Sequence, residues 1–193
     1  MSRSLSSPSS TGSQPVVVVL AAGRGERFAA SGGTTHKLAA LLAGQSVLDH
    51  VLAAVRASGL PHHLVHGDAS RPGMGDSIAA GIRATPGAVG WLILPADLPL
   101  VRGDTLRAVA EALQQHPVAV PVYRGERGHP VGFSAACRDA LLDLKGNQGA
   151  APVLQAYQAI NSVAFVAIDD IGIVTDIDTV EDLARAEQLL AVR

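Results

Sequence analysis

The feature that most constrains this chain is a short apolar run, Val16-Val-Val-Val-Leu20, entered from Pro15 and broken by Ala21-Ala22-Gly23. β-Branched residues pack well on a pleated surface. A run with no polar alternation leaves no side for solvent, so it predicts a strand buried on both faces. Such a strand needs helices above and below it, which points to an α/β architecture.

The rest of the chain repeats the pattern. Trp91–Leu94 reads as a second buried strand stopped by Pro95, and Leu64-Val65 as a short one before Gly67. Val118–Tyr123 and Val163–Ile168 are further strands, and Arg124–Gly128 is a hairpin turn into Pro130–Phe133. Val47–Ser58 carries Val47, Leu48, Val51, Leu52 and Val55 at helical spacing and ends at Gly59. Helices are also expected over Gly75–Arg83, Thr105–Gln115, around Ala135–Leu144, and over Ala151–Ala159. A last helix starts at Thr179, with Asp182 completing a capping box. Arg24–Lys37 and Gly146–Gly149 read as loops. The expected fold is α/β, a three-layer αβα Rossmann-like arrangement with a mostly parallel sheet and an antiparallel hairpin. The Ser-rich segment 1–14 is expected to be a flexible tail, and 15–193 the folded domain.

Composition narrows the function classes. At 193 residues the chain suits one α/β domain, and 3% aromatics make its core aliphatic. A net charge of −2 excludes a broad nucleic-acid surface. The single cysteine, Cys137, excludes an internal disulfide and a Cys-based zinc cage. His62, His63 and His66 alternate across a strand, which argues against zinc there. No apolar run approaches the ~20 residues of a membrane span, and Ser-rich Met1–Gln14, with no apolar stretch, does not read as a signal peptide. The expectation is a cytoplasmic protein with neither nucleic-acid nor membrane partners.

Leu20-Ala-Ala-Gly-Arg-Gly-Glu-Arg27 follows the first strand, and Lys37 follows it. Gly23 and Gly25 allow backbone N–H groups to approach an anion, and Arg27 and Lys37 can offset phosphate charge. The segment lacks the Gly-Lys-Ser/Thr of a Walker loop, and Phe28 stands where a dinucleotide fingerprint needs its third glycine. Alone it leaves two readings open, a phosphate cradle or an ordinary strand-to-loop turn. Asp97 sits at the carboxyl end of the second buried strand, where ligands bind in open α/β sheets. From the residues alone a turn residue between two prolines is the slightly better reading, with a metal-binding carboxylate the other.

Leu20–Phe28 with Lys37 resembles the nucleotide-binding loop of the MobA-like nucleotidyltransferases, most of all the molybdenum cofactor cytidylyltransferase branch. Further matches follow in order: Gly73-Met-Gly-Asp-Ser-Ile78 with Gly81, Pro95-Ala-Asp-Leu-Pro99, Gly128-His-Pro-Val-Gly132 and Asp176-Ile-Asp-Thr-Val-Glu-Asp-Leu183. The resemblance implies a nucleotide-diphospho-sugar transferase-like fold. It also implies transfer of CMP from CTP to the phosphate of molybdenum-molybdopterin, with Mg²⁺ as cofactor and pyrophosphate released. Arg27, Lys37 and Asp97 would be catalytic, and Asp97 and Asp178 would hold the metal. Leu20, Ala21, Ala22, Gly23, Gly25, Lys37, Gly67, Gly73, Met74, Gly75, Ser77, Pro95 and Ala96 would bind the nucleotide, and His129 and Asn147 the second substrate. A molybdenum hydroxylase or its maturation factor would be the protein partner.

Three departures qualify the match. Ala29–Thr35 is an insertion, so Lys37 would need loop closure to reach the phosphates. Val65–Gly73 is shorter than the family's segment. Gly146-Asn-Gln-Gly-Ala-Ala151 stands where the family reads Gly-Asp-x-Gly-Ala-Arg, which removes a bidentate phosphate partner. The alternatives are the same chemistry with GTP or another phosphorylated acceptor, or a non-catalytic molybdopterin or nucleotide carrier. A dinucleotide-binding oxidoreductase is disfavoured by Phe28.

Overall fold

The computed structural model describes residues 14–67 and 73–192, so most of the expected tail and residues 68–72 of the short Val65–Gly73 segment lie outside the described residues. The chain runs β1 (Val16–Ala21), α1 (Glu26–Ala30), β2 (Leu41–Leu42), β3 (Gln45–Ser46), α2 (Val47–Ser58), β4 (His62–His66), α3 (Met74–Ala84) and β5 (Gly90–Pro95). It continues with α4 (Gly103–Ala112), β6 (Val118–Tyr123), β7 (Glu126–Arg127), β8 (Val131–Ser134), α5 (Arg138–Leu142), α6 (Ala151–Ala159), β9 (Val163–Ala167) and α7 (Val180–Ala191).

The main sheet has the order β4-β1-β5-β8-β6-β7, and β9 pairs with β6. β1 pairs in parallel with both β4 and β5, and β6 with β9. β8 enters antiparallel between β5 and β6, with Ile93 opposite Val131 and Ala119 opposite Gly132. The expected antiparallel hairpin is therefore present, but its second arm is an interior strand. β2 and β3 form a separate antiparallel pair.

The unbroken apolar strands are explained by what lies on each face. Val17 and Val19 of β1 pack with Val51 and Val55 of α2, Leu106 and Val109 of α4, and Ala186 of α7. Val18 and Leu20 point the other way, toward Ile78 and Ile82 of α3, Leu141 of α5 and Val153 of α6. These are the three layers. Each fully buried Val, Leu or Ile contributes about 1.5–3 kcal/mol relative to exposure. Trp91 is fully buried, and its indole Nε1 donates to Thr85 Oγ1 at 2.9 Å, so no polar atom of the ring is stranded.

Helix ends follow the sequence where caps set them. Ser46 Oγ accepts from Asp49 N at the start of α2, and Gly59 closes it in the left-handed region. Thr179 and Asp182 form the expected capping box on α7, contributing roughly 1 kcal/mol. Other boundaries differ. Arg24–Lys37, expected as a loop, contains α1 and a 3-10 turn over Lys37–Ala39. α4 ends at Ala112 rather than Gln115, and the helix expected from Ala135 begins as a 3-10 turn before α5. Among the described residues, no helix is long and apolar enough to cross a membrane.

Candidate active site

A cleft of about 880 Å³ opens at the carboxyl ends of β1 and β5. Its wall begins where β1 stops: Leu20, Ala22, Gly23, Gly25 and Arg27 all line it. Gly25 adopts φ 68°, a left-handed conformation that glycine takes without a Cβ penalty, and this turns the chain into α1. Phe28 is buried and anchors that short helix to the core.

The insertion is folded into the structure rather than left open. Ser31 Oγ donates to the Phe28 carbonyl at 2.9 Å and accepts from Val180 N at 3.0 Å, tying the segment to the first turn of α7. His36 then bonds the Gly23 carbonyl through Nε2 at 2.9 Å, while its Nδ1 accepts from Leu38 N at 3.3 Å. Both bonds are satisfied together by the neutral ring carrying its proton on Nε2. These ties place Lys37 in the lining of the cleft.

Lys37 Nζ donates to Asp97 Oδ2 at 2.6 Å and to Asp178 Oδ1 at 2.9 Å. Arg27 pairs with the second oxygen of Asp178 at 2.8 Å. Asp178 is placed there because Ile177 N bonds the Asp97 carbonyl at 2.9 Å. Upstream, the buried Asp170 carboxylate accepts from Arg102 N, Thr105 Oγ1 and Gly172 N, which pins the same segment to α4. Capping of α7 falls to Thr179, which leaves the Asp178 side chain to Lys37 and Arg27.

The charges set one another's protonation. Burial alone would lower the Lys37 pKa, but Asp97 and Asp178 outweigh it and hold the ammonium above its ordinary range. Burial would raise Asp178, and Lys37 with Arg27 reverses this and lowers it. Asp176 is raised by burial and by the neighbouring charges of Asp178 and Asp97. His129 is lowered by burial, against the pull of Asp97. Its Nδ1 is buried with no hydrogen-bond partner, although the residue lines the cleft.

The opposite wall comes from α3, the Gly146–Gln148 turn and the β6–β7 hairpin. Gly73, Met74 and Ser77 line it, with Glu126, Arg127, His129 and Asn147. A Cβ on Gly73 would lie 2.2 Å from the Gly146 carbonyl, so glycine there is required by backbone contact. Gly146 N also donates to Asp76 Oδ2 at 3.0 Å, which fixes the turn bearing Asn147 onto α3. The Ser77 hydroxyl is occupied by the Gly73 carbonyl at 3.1 Å. Pro95 lines the cleft, whereas Ala21, Gly67, Gly75 and Ala96 do not. Gly75 faces the Lys145 backbone, and Gly67 bonds the Ala21 carbonyl. Glu126 and Arg127 line the cleft although they stand in none of the matched motifs, and Asp176 lines it from within the acidic motif Asp176–Leu183. Arg127 stacks on Phe165 at 4.7 Å, a contact between β7 and β9 that no local motif announces.

Residues 17–163 match the MobA-like NTP transferase domain. The chain belongs to the MobA-like NTP transferase family. Purine catabolism protein PucB of Bacillus subtilis is 32% identical to it over 196 residues, covering 86% of this chain and 92% of that protein. A nucleotidyl transferase from Methanothermobacter superposes with a TM-score of 0.77 at 24% identity, covering 94% of this chain and all of the other. A Mycobacterium tuberculosis protein, Rv0371c, gives 0.73 at 25% identity, covering 92% and 99%. For a MobA-like transferase the Asp97–Asp178 pair is a fitting place for a divalent cation. Both carboxylates already converge on one cation, the Lys37 ammonium, at 2.6 and 2.9 Å. Two carboxylates beside an open cleft leave positions for water and phosphate, as Mg²⁺ requires.

Proposed function

We propose that the protein is a Mg²⁺-dependent cytidylyltransferase, transferring CMP from CTP to the phosphate of a molybdopterin that carries molybdenum. The observation that carries this is the convergence of Lys37, Asp97, Asp178 and Arg27 in one cleft facing the Leu20–Arg27 loop. The Leu-Ala-Ala-Gly form of that loop supports CTP over GTP, and membership of the MobA-like family supports nucleotidyl transfer.

In this reading a terminal phosphate oxygen of the acceptor attacks the α-phosphorus of CTP. A new P–O bond forms there while the bond to the bridging oxygen of the β-phosphate breaks, and pyrophosphate leaves with that electron pair. Arg27 and Lys37 hold the triphosphate and offset the charge that develops, an effect ordinarily of 10²–10³ in rate per group. Asp97 and Asp178 would hold the Mg²⁺, which when bound would act as a Lewis acid and offset phosphate charge. Leu20, Ala22, Gly23 and Gly25 cradle the nucleotide, while Gly73, Met74, Ser77 and Pro95 complete its pocket. Ala21, Gly67, Gly75 and Ala96 act behind this surface by fixing its backbone. His129, which lines the cleft, and Asn147, through its amide, contact the acceptor. The setting is cytoplasmic, and a molybdenum hydroxylase or its maturation factor receives the product.

Pyrophosphate release measured with each NTP, Mg²⁺ and molybdenum-molybdopterin tests this. CTP is expected to be preferred. Release with GTP alone would reassign the base. Tight CTP binding with no release from any acceptor would make the protein a carrier, which the missing arginine at Ala151 favours.

A further inference from the structure

The Lys37 ammonium is in an unusual place for a phosphate-holding group. Its side chain is 9% exposed, against 77% for Arg27, and its ammonium donates to two carboxylates. It occupies the point at which the oxygens of Asp97 and Asp178 converge. An ammonium and a divalent ion cannot share that point, since both need the same oxygens and repel each other. The stem of Lys37 runs along the glycine-rich loop. A Cβ built on Gly25 would meet its Cγ at 3.6 Å, and one on Gly23 its Cε at 3.8 Å. The stem of Lys37 therefore packs against the loop that would hold a triphosphate.

We propose that Lys37 is the resident cation of the Asp97–Asp178 pair in the nucleotide-free protein. A divalent ion enters only as Lys37 leaves, and Lys37 leaves when a triphosphate on the Gly23–Arg27 loop offers it new oxygens. Metal and nucleotide then bind as a coupled pair, and by linkage each strengthens the other equally. Without nucleotide, the pair is closed to metal by its own lysine. The proposal rests on Asp97 and Asp178 being the metal ligands of the proposed function. A lysine that only grips phosphate makes a different prediction, namely no effect on metal binding in the absence of nucleotide.

The test titrates Mn²⁺ into the full chain, without nucleotide and then with CTP, following free Mn²⁺ by electron paramagnetic resonance. Circular dichroism establishes that each variant is folded. Lys37→Met is expected to bind Mn²⁺ about tenfold more tightly than wild type without nucleotide, and to lose most of the gain that CTP confers on wild type. Lys37→Arg, which keeps a cation, is expected to stay near wild type. The gain is expected to vanish in the Lys37→Met, Asp97→Asn double variant. Unchanged or weaker Mn²⁺ binding in folded Lys37→Met overturns the proposal, as does a gain that survives Asp97→Asn. If Asp97→Asn and Asp178→Asn also leave CTP-dependent Mn²⁺ binding intact, the metal assignment itself fails. If they abolish it while Lys37→Met behaves as wild type, only the role of the lysine fails.

Discussion

The two walls of the cleft are built in different ways. On one, side chains hold each other: Lys37, Arg27, Asp97 and Asp178 are joined by ion pairs of 2.6–2.9 Å, and His36 and Ser31 brace the segment that carries the lysine. On the other, backbone holds backbone. Gly128 N bonds Pro121 O, His129 N bonds Ile173 O, and Gly73 lies against Gly146, while the side chains of Glu126, Arg127 and Asn147 remain exposed. A wall of mutually paired charges cannot change one member without leaving another unsatisfied. A wall fixed through its backbone can exchange exposed side chains at small cost. The first arrangement suits chemistry that must not vary, and the second suits the choice of a partner molecule.

The comparison can be broken most directly at Asp97. Asp97→Ala removes a carboxylate from the paired wall and is expected to lower pyrophosphate release on the order of 10³-fold. A loss of only a few-fold would mean that the paired wall is not where the chemistry occurs. Gly73→Ala attacks the backbone wall, because the added methyl meets the Gly146 carbonyl. It is expected to cost about 1–3 kcal/mol in stability, read as a lowered melting temperature. An unchanged melting temperature would show that this wall yields easily.

Asn147→Ala tests whether exposed residues there act on the acceptor alone. The acceptor KM is expected to rise about fivefold, the worth of one hydrogen bond, with CTP affinity unchanged. A loss of CTP affinity would merge the two walls into one function.

The smallest expected effect is in pH. Burial lowers the pKa of His129 below its ordinary 6.5, so the unfolded chain takes up this proton more readily than the folded one. Stability from this group is then complete above about pH 6.5 and declines as the pH falls below it. Chemical denaturation of His129→Gln is expected to show a shallower decline between pH 6.5 and 5 than wild type. Identical slopes would remove His129 from this account.

The paired wall was largely legible in the sequence, and the backbone wall was less so. Val16–Leu20 and Trp91–Leu94 announce buried strands by composition alone, and Asp97 gains its place from the strand before it. α1 was hidden because five residues are too few to show a helical period; it is held by the burial of Phe28. The position of Lys37 depends on Ser31 reaching Val180, nearly 150 residues away, and spacing cannot report that. Asp176 stood inside a recognised motif, yet its proximity to Asp97 comes from the bond between Ile177 and the Asp97 carbonyl. Arg127 and Glu126 looked like hairpin residues, which they are; only the fold places that hairpin beside the cleft.

The reversed direction of β8 has a consequence for how such a protein diversifies. A parallel strand reaches the rim of the sheet as it ends, so β1 and β5 give their following residues to the cleft. β8 runs the other way and starts at that rim, so the residues just before it, Gly128 and His129, arrive from the incoming hairpin. Lengthening or shortening that hairpin reshapes one side of the cleft while the parallel registers of β1 with β4 and β5, and of β6 with β9, stay as they are. The chain thus carries a replaceable rim segment spliced into a fixed frame, and related proteins could acquire new acceptors there without redesigning the loop that follows β1.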